Sequence, residues 1–148
     1  ASKLGAFDEP PVDARACEVW LGDSLGEMAL YYGLADVAVL GGSFAPLGGQ
    51  NLIEALACGC PMVVGPHTFN FAEAAEGAIA AGAAQRVPNL PGALTCLEQW
   101  LAPEQAQAHR QRAEAGRQFA AAHRGAAQRM AEAVVDLWRD RTPGRPSS

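Results

Sequence analysis

The sequence predicts an α/β fold, a Rossmann-like three-layer sandwich built around a parallel sheet. Short apolar runs such as Val37–Leu40 alternate with amphipathic, helix-length segments, and glycines follow several of these runs. An apolar run without polar interruption is typical of a strand buried on both faces. Strand–helix–strand connections of this length give right-handed crossovers between parallel strands. Residues 92–139 are helical throughout in pattern and predict a helical C-terminal extension.

The composition narrows the class of protein. The chain has 148 residues, of which 49% are hydrophobic, and a net charge of −5. That length suffices for one domain with a real core, and the acidic balance argues against a nucleic-acid binder. No apolar run is long enough to span a membrane. The sequence has four cysteines, Cys17, Cys58, Cys60 and Cys96, and they lack the spacing of a zinc site. We therefore predict that they are thiols of the core in a protein from a reducing compartment. We also predict that the protein uses no metal and no cofactor.

The predicted elements lie in one domain at residues 16–141, between a linker or trimmed N-terminal edge at 1–15 and a disordered tail at 142–148. Strands are predicted at 17–21, 37–40, 61–65 and 85–87. Helices are predicted at about 25–35, 51–59, 71–81, 92–101, 103–122 and 125–139. The first helix is expected to pack through Met28, Tyr31, Tyr32 and Ala35. Because complete doubly wound domains usually have five or six strands, we expect the fold to be short at its N-terminal end.

Three glycine-containing loops leave the carboxyl ends of the predicted strands, where open α/β sheets bind ligands. They span residues 22–27, 41–51 and 65–70. In the second loop, Gly48 and Gly49 allow close backbone approach, and a helix begins at Asn51, where free amides favour an anion. Glu54 lies one turn later and could accept hydrogen bonds from a ribose diol. A phosphate on the amides and a diol on the carboxylate together describe a nucleotide site.

A purely structural interpretation of the same residues stays open at this point. Asn51 with Glu54, and Ser24 with Glu27, have the spacing of capping boxes. His67 on its own is more typical of an ordinary loop or core histidine than of a ligand contact. Neither a Walker A loop nor the G-x-G-x-x-G dinucleotide fingerprint is present in the sequence.

Four blocks of sequence are distinctive when they are taken together. They are Gly22-Asp23-Ser24-Leu25-Gly26-Glu27-Met28, Ala35-Asp36-Val37-Ala38-Val39-Leu40-Gly41-Gly42-Ser43, Gly48-Gly49-Gln50-Asn51-Leu52-Ile53-Glu54 and Gly65-Pro66-His67-Thr68-Phe69-Asn70-Phe71. In this order and spacing they resemble the C-terminal half of the 3-deoxy-D-manno-octulosonic acid (Kdo) transferases. The last block is the most specific, and the resemblance extends over residues 17–138.

The resemblance implies the donor-binding half of a GT-B glycosyltransferase. Such an enzyme transfers Kdo from CMP-Kdo to lipid A precursor in lipopolysaccharide core biosynthesis, with no metal in the transfer. The resemblance also implies tethering of the parent enzyme to the cytoplasmic side of the inner membrane through its N-terminal end. The catalytic base and most of the acceptor surface are implied to lie in an N-terminal domain. We therefore expect no catalytic residue in this chain, no activity of the chain alone, and membrane association only through the parent enzyme.

The family's CMP-binding segments match two sets of residues here. They are Leu25, Gly26 and Glu27, and Asn51, Leu52, Ile53 and Glu54. Further donor contacts are expected from Ser43, Gly49, Gln50 and His67. The family usually has His at the position of Gln50 and Pro at that of Ala55. Since Gln cannot carry a proton but still forms hydrogen bonds, we expect its presence to tune binding.

Two other functions remain compatible with the sequence. One is the donor domain of another GT-B transferase that uses a UDP-sugar. The other is a non-catalytic nucleotide-binding module. Titration with CMP and UDP would distinguish the first of these from a Kdo transferase, and acceptor specificity would distinguish the second.

Overall fold

The computed structural model describes residues 2–3, 18–22, 26–47 and 52–140. Its main sheet has three parallel strands in the order β3–β4–β5, with β4 in the centre. These strands are β3 (Ala38–Leu40), β4 (Met62–Val64) and β5 (Ala84–Arg86). Two short strands, β1 (Ser2–Lys3) and β2 (Trp20–Leu21), pair in parallel in a separate sheet.

The three predicted strands of the main sheet are confirmed to within about one residue. Their register aligns Leu40, Val64 and Arg86 in one row, so all three strands end at the same edge of the sheet. We call it the carboxyl edge. β4 is buried over its whole length, as its unbroken apolar sequence predicts.

Helices cover both faces of this sheet. They are α1 (Met28–Leu34), α2 (Ile53–Ala57), α3 (Ala72–Ala80), α4 (Leu90–Leu101) and α5 (Ala106–Asp140). Met62 and Val64 pack into the core cluster that contains α2 and α3, whereas Val63 packs with the buried residues of α4. Successive side chains of a strand point to opposite faces, so this division confirms the three-layer architecture.

The first predicted strand does not join the main sheet, which corrects the prediction of four strands in one sheet. Within 18–22 the strand consists of Trp20 and Leu21 and pairs with Ser2–Lys3, inside the segment expected to be a linker. Val19 and Leu21 are 65% and 51% exposed. An apolar run indicates a central strand only where its side chains are buried, and those of Val19 and Leu21 are not.

The two C-terminal helices predicted at 103–122 and 125–139 form one continuous helix, α5, so the predicted break was wrong. A glycine inside a helix costs only about 1 kcal/mol relative to alanine, and Gly125 lies among strong helix formers. The first half of α5 packs on the domain, with Ala113 and Ala120 buried and Gly116 close to Leu56. Pro103 lies at the start of a 3₁₀ turn just before the helix.

The described cysteines are free thiols, as predicted. Cys60 and Cys96 are buried and Cys58 is half-buried, whereas Cys17 lies outside the described residues. Burial raises the pKa of Cys60 to about 11, so this thiol stays protonated at neutral pH. Among the described helices, none combines the length and apolarity of a membrane span.

Candidate functional site at the carboxyl edge

Two loops meet at the carboxyl edge of the sheet. The β3 loop (Gly41–Leu47) begins with a 3₁₀ turn over Gly41–Phe44, and the β4 loop (Gly65–Asn70) leads into α3. Sheet pairing places their first residues side by side, because β3 and β4 are neighbouring parallel strands. The edge predicted to bind a ligand is therefore built from two loops that contact each other.

Ser43 ties these loops together. Its side chain is fully buried, and its hydroxyl donates to the Leu40 carbonyl at 2.5 Å and accepts from the Gly65 amide at 2.7 Å. The Ser43 carbonyl also accepts from the His67 amide at 2.9 Å. The hydroxyl is thus occupied inside the protein, where it supports the edge loops, and the expected contact of Ser43 with the donor stays a prediction.

The close approach of the loops requires glycine at position 65. A Cβ atom added to Gly65 would lie 2.5 Å from the Ser43 carbonyl oxygen and 2.9 Å from Phe44 Cδ1. The backbone oxygen cannot move aside without breaking its hydrogen bond to the His67 amide. Gly65 therefore sets the spacing of the two loops.

A second set of polar contacts holds the far end of the β4 loop. Thr68 is buried, and its Oγ1 accepts from Arg86 Nη2 at 2.8 Å. Arg86 is the last residue of β5, and its Nη1 forms an ion pair with Glu76 of α3 at 2.6 Å. Asn70 Nδ2 donates to the Leu47 carbonyl at 3.3 Å, which joins this end of the β4 loop to the β3 loop as well.

Glu27 and Gly26 stand just before α1. Gly26 has a φ of +86°, a conformation that glycine adopts without the strain of a Cβ atom. The helix begins at Met28, and the side chain of Glu27, the residue before it, does not cap the helix amides. The predicted Ser24–Glu27 capping box involves Ser24 and stays a prediction. The Glu27 carboxylate accepts a hydrogen bond from the Tyr31 hydroxyl at 2.8 Å. Ser24 and Leu25 lie outside the described residues.

Glu54 lies in the first turn of α2, with its side chain exposed. Burial, and next the charge of Glu54, raise the pKa of Tyr32 on α1. Leu52 and Ile53 are buried in the core, so only their backbone could contact a nucleotide. At the start of α2, the side chain of Glu54 is thus exposed to a ligand, whereas those of Leu52 and Ile53 are not.

Other predicted residues have different outcomes. Asn51, Gly49 and Gln50 lie outside the described residues, so their roles stay predictions. His67 is half-buried on the β4 loop, with its amide bound to Ser43. Within the described ranges, no cluster of three or more His, Cys, Asp or Glu residues could hold a metal ion.

Four residues that shape this site were not predicted from the sequence. Tyr31 and Tyr32 were expected only to pack, and Thr68 and Arg86 were given no role. The four-residue separation of Glu27 and Tyr31 is an i, i+4 pattern that could have revealed their contact. The contact between Arg86 and Thr68 joins residues 18 positions apart and has no local pattern.

The chain matches no established protein-family model. It is 58% identical over 120 residues to the 3-deoxy-D-manno-octulosonic acid transferase of Bordetella pertussis, covering 80% of this chain and 27% of that protein. It is 52% identical over 56 residues to the transferase of the same name from Haemophilus influenzae, covering 38% of this chain and 13% of that protein.

A solved structure, that of the C-terminal CMP-Kdo binding domain of WaaA from Acinetobacter baumannii, has the same fold. It superposes with a TM-score of 0.59 at 32% identity, covering 68% of this chain and 51% of that one. This chain is a homologue of the C-terminal part of the Kdo transferases. It spans about a quarter or less of the length of the full Kdo transferases it matches. The resemblance of the four sequence blocks and the expected GT-B donor-domain fold are both confirmed.

Proposed function

We propose that the chain is the CMP-Kdo-binding domain of a Kdo transferase. The observation that carries this proposal is the likeness, in fold and sequence, to the solved CMP-Kdo binding domain of the Acinetobacter protein. The carboxyl edge supports it independently, because ligands of open α/β sheets bind at this edge. Here the edge is formed by two loops that buried hydrogen bonds hold together.

In this proposal the nucleotide lies between Glu54 and the segment at Gly26 and Glu27. The exposed carboxylate of Glu54 accepts hydrogen bonds from the ribose diol, since charge-assisted hydrogen bonds of this kind are strong. The same charge repels the donor phosphate, so the phosphate binds away from it, at backbone amides near Asn51. α1 packs against α2 and joins the two glutamate-bearing segments.

The rest of the proposed reaction occurs outside this chain. The catalytic base and the binding surface for lipid A precursor belong to an N-terminal domain of the parent enzyme. That enzyme acts at the cytoplasmic face of the inner membrane. The size of the full Kdo transferases, of which the matched segments make up 27% or less, leaves room for such a domain.

A transfer assay tests this function. The 148-residue chain alone should give no Kdo transfer from CMP-Kdo to a lipid A precursor above a blank, whereas the full-length enzyme that contains it should be active. Transfer by the isolated chain would overturn the proposal that the donor site and the catalytic base lie in two different domains. Activity of the full enzyme with a UDP-sugar but not with CMP-Kdo would overturn the donor assignment.

A further inference from the structure

We propose that Arg86 is a positioning residue for donor binding: it holds the β4 loop in place through Thr68. The inference rests on the proposed function, in which the donor lies at the carboxyl edge. Arg86 ends β5 in the same row as Leu40 and Val64, directly beside the start of the β4 loop. Its guanidinium is therefore anchored to the sheet, while its contacts reach a loop and a helix.

The guanidinium connects two separate elements. Nη1 is paired with Glu76 of α3 at 2.6 Å, and Nη2 donates to Thr68 Oγ1 at 2.8 Å. Because the guanidinium is planar and its donors are fixed in a fork, pairing with Glu76 also fixes the direction in which Nη2 points. Glu76 thus orients the donor that holds Thr68.

Thr68 passes this restraint to the loop backbone. It is buried, and its carbonyl accepts a hydrogen bond from the Phe71 amide at 3.0 Å, which closes the 3₁₀ turn at the end of the loop. At the other end, the His67 amide is bound to the Ser43 carbonyl. Ser43 and Arg86 therefore restrain the loop from two sides, with the exposed contact of Asn70 to the Leu47 carbonyl beside them. Loss of the Arg86 restraint should let the stretch from His67 to Phe71 open more often, because the remaining contacts have to hold it alone.

The contacts that Arg86 makes with Glu76 and Thr68 contribute little to the stability of the fold as a whole. The Arg86 and Glu76 side chains are 34% and 62% exposed, and ion pairs at that exposure add little stability. In addition, Arg86 Nε is buried without a hydrogen-bond partner among the described residues, which costs part of the gain. The geometry therefore favours a role in holding the loop over a role in folding.

Amide hydrogen exchange of the unliganded chain tests the positioning step directly. In Arg86→Met and in Thr68→Val, exchange at the His67 and Phe71 amides should accelerate about tenfold or more, because these amides open with the loop. The Val87 amide, bound to the Val64 carbonyl in the sheet, is the internal reference and should change less than about twofold. Thr68→Ser, which keeps the hydroxyl, should behave as wild type.

The matched control is Arg117→Met, which breaks the exposed Arg117–Glu114 pair on α5, away from the loop. It should leave all three amides unchanged. Should Arg86→Met fail to fold, Thr68→Val and Thr68→Ser decide the question alone. Unchanged exchange at His67 and Phe71 in the folded variants would overturn the proposal.

CMP affinity tests the link to the donor. In Arg86→Met and Thr68→Val the dissociation constant for CMP should rise about three- to tenfold, and Thr68→Ser should restore it. A loosened loop with unchanged CMP affinity would overturn the positioning role in donor binding. That result would leave the proposed function intact, because Glu54→Gln tests the nucleotide site independently of this loop.

Discussion

The Tyr31 hydroxyl donates a 2.8 Å hydrogen bond to Glu27 Oε2, across the first turn of α1. The next residue, Tyr32, lies close enough to Glu54 for the glutamate charge to raise its pKa, after the larger effect of burial. α1 therefore carries one tyrosine for each of the two glutamates proposed to bind the donor. The helix links the two halves of the proposed nucleotide site.

Tyr31→Phe should weaken CMP binding without disturbing the fold. The variant removes one hydrogen bond to the Glu27 carboxylate, which contributes about 1.5–3 kcal/mol at most, and so holds this carboxylate less firmly in place. We expect the dissociation constant for CMP to rise about three- to tenfold in calorimetry. Thr95→Val is the control, because it removes an exposed hydroxyl bonded to the Pro91 carbonyl on α4. Equal CMP affinities in wild type and Tyr31→Phe would exclude a role for this pair in the site.

Glu54→Gln should weaken CMP binding far more than it lowers thermal stability. As an acceptor from the ribose diol, Glu54 supplies charge-assisted hydrogen bonds of about 1.5–3 kcal/mol, so its loss costs about tenfold or more in affinity. The melting temperature should stay nearly constant, because Gln keeps the size of the side chain and its hydrogen-bonding capacity.

Glu104→Gln is the matched control for this substitution, since Glu104 is an exposed glutamate in the first turn of the 3₁₀ segment before α5. It should leave CMP affinity unchanged. In the full-length enzyme, the quantity to compare is kcat/KM for CMP-Kdo, measured for wild type, Glu54→Gln and Glu104→Gln. A ratio for Glu54→Gln within about twofold of wild type would mean that Glu54 is not a donor ligand.

Gly65→Ala should destabilise the domain by about 1–3 kcal/mol, the usual cost of overpacking. The new methyl group would lie against the Ser43 carbonyl, which the His67 amide holds in place. Gly33→Ala is the opposite case, because, apart from its chain neighbours and the backbone of α1 itself, no atom of the described residues lies within 4 Å of the added Cβ. Alanine there should be neutral or stabilise by up to about 1 kcal/mol. Urea unfolding of both variants measures the difference, and equal stabilities would contradict the close packing of the two loops.

The sequence predicted those parts of the fold that local patterns determine. The strand at Met62–Val64 was predictable because it is buried on both faces and therefore apolar at every position. The strand at Ala38–Leu40 is equally apolar in sequence, although the structure leaves Val39 37% exposed and so does not bury both of its faces. The pairing of Trp20 with Ser2 was not, since it joins distant residues in very short strands. The break predicted before Gly125 failed because one glycine costs a long helix too little to end it.

The sequence predicted where the candidate site lies better than it predicted the hydrogen bonds that hold the loops of that site in place. Glu54 was predicted from its place one turn after a helix start, and Glu27 was added by the resemblance. Glu27 accepts a hydrogen bond from Tyr31 of α1, and the charge of Glu54 raises the pKa of Tyr32, after the larger effect of burial. Ser43 was expected to contact the donor, yet its hydroxyl is buried between the loops. Glycine-rich segments identify an edge that a ligand can approach, whereas the hydrogen bonds that hold such an edge depend on tertiary contacts.

An NMR titration of the 148-residue chain with CMP, and in parallel with UDP, tests the central claim most directly. We expect CMP to shift the amides of Gly26, Glu27 and Glu54 and of the two edge loops, and to bind more tightly than UDP. A cavity of about 320 Å³ near Asp36 and His109 provides an internal comparison, because its lining should not respond. Tighter binding of UDP than of CMP, or shifts confined to that cavity, would contradict the assignment of this chain as a CMP-Kdo-binding domain.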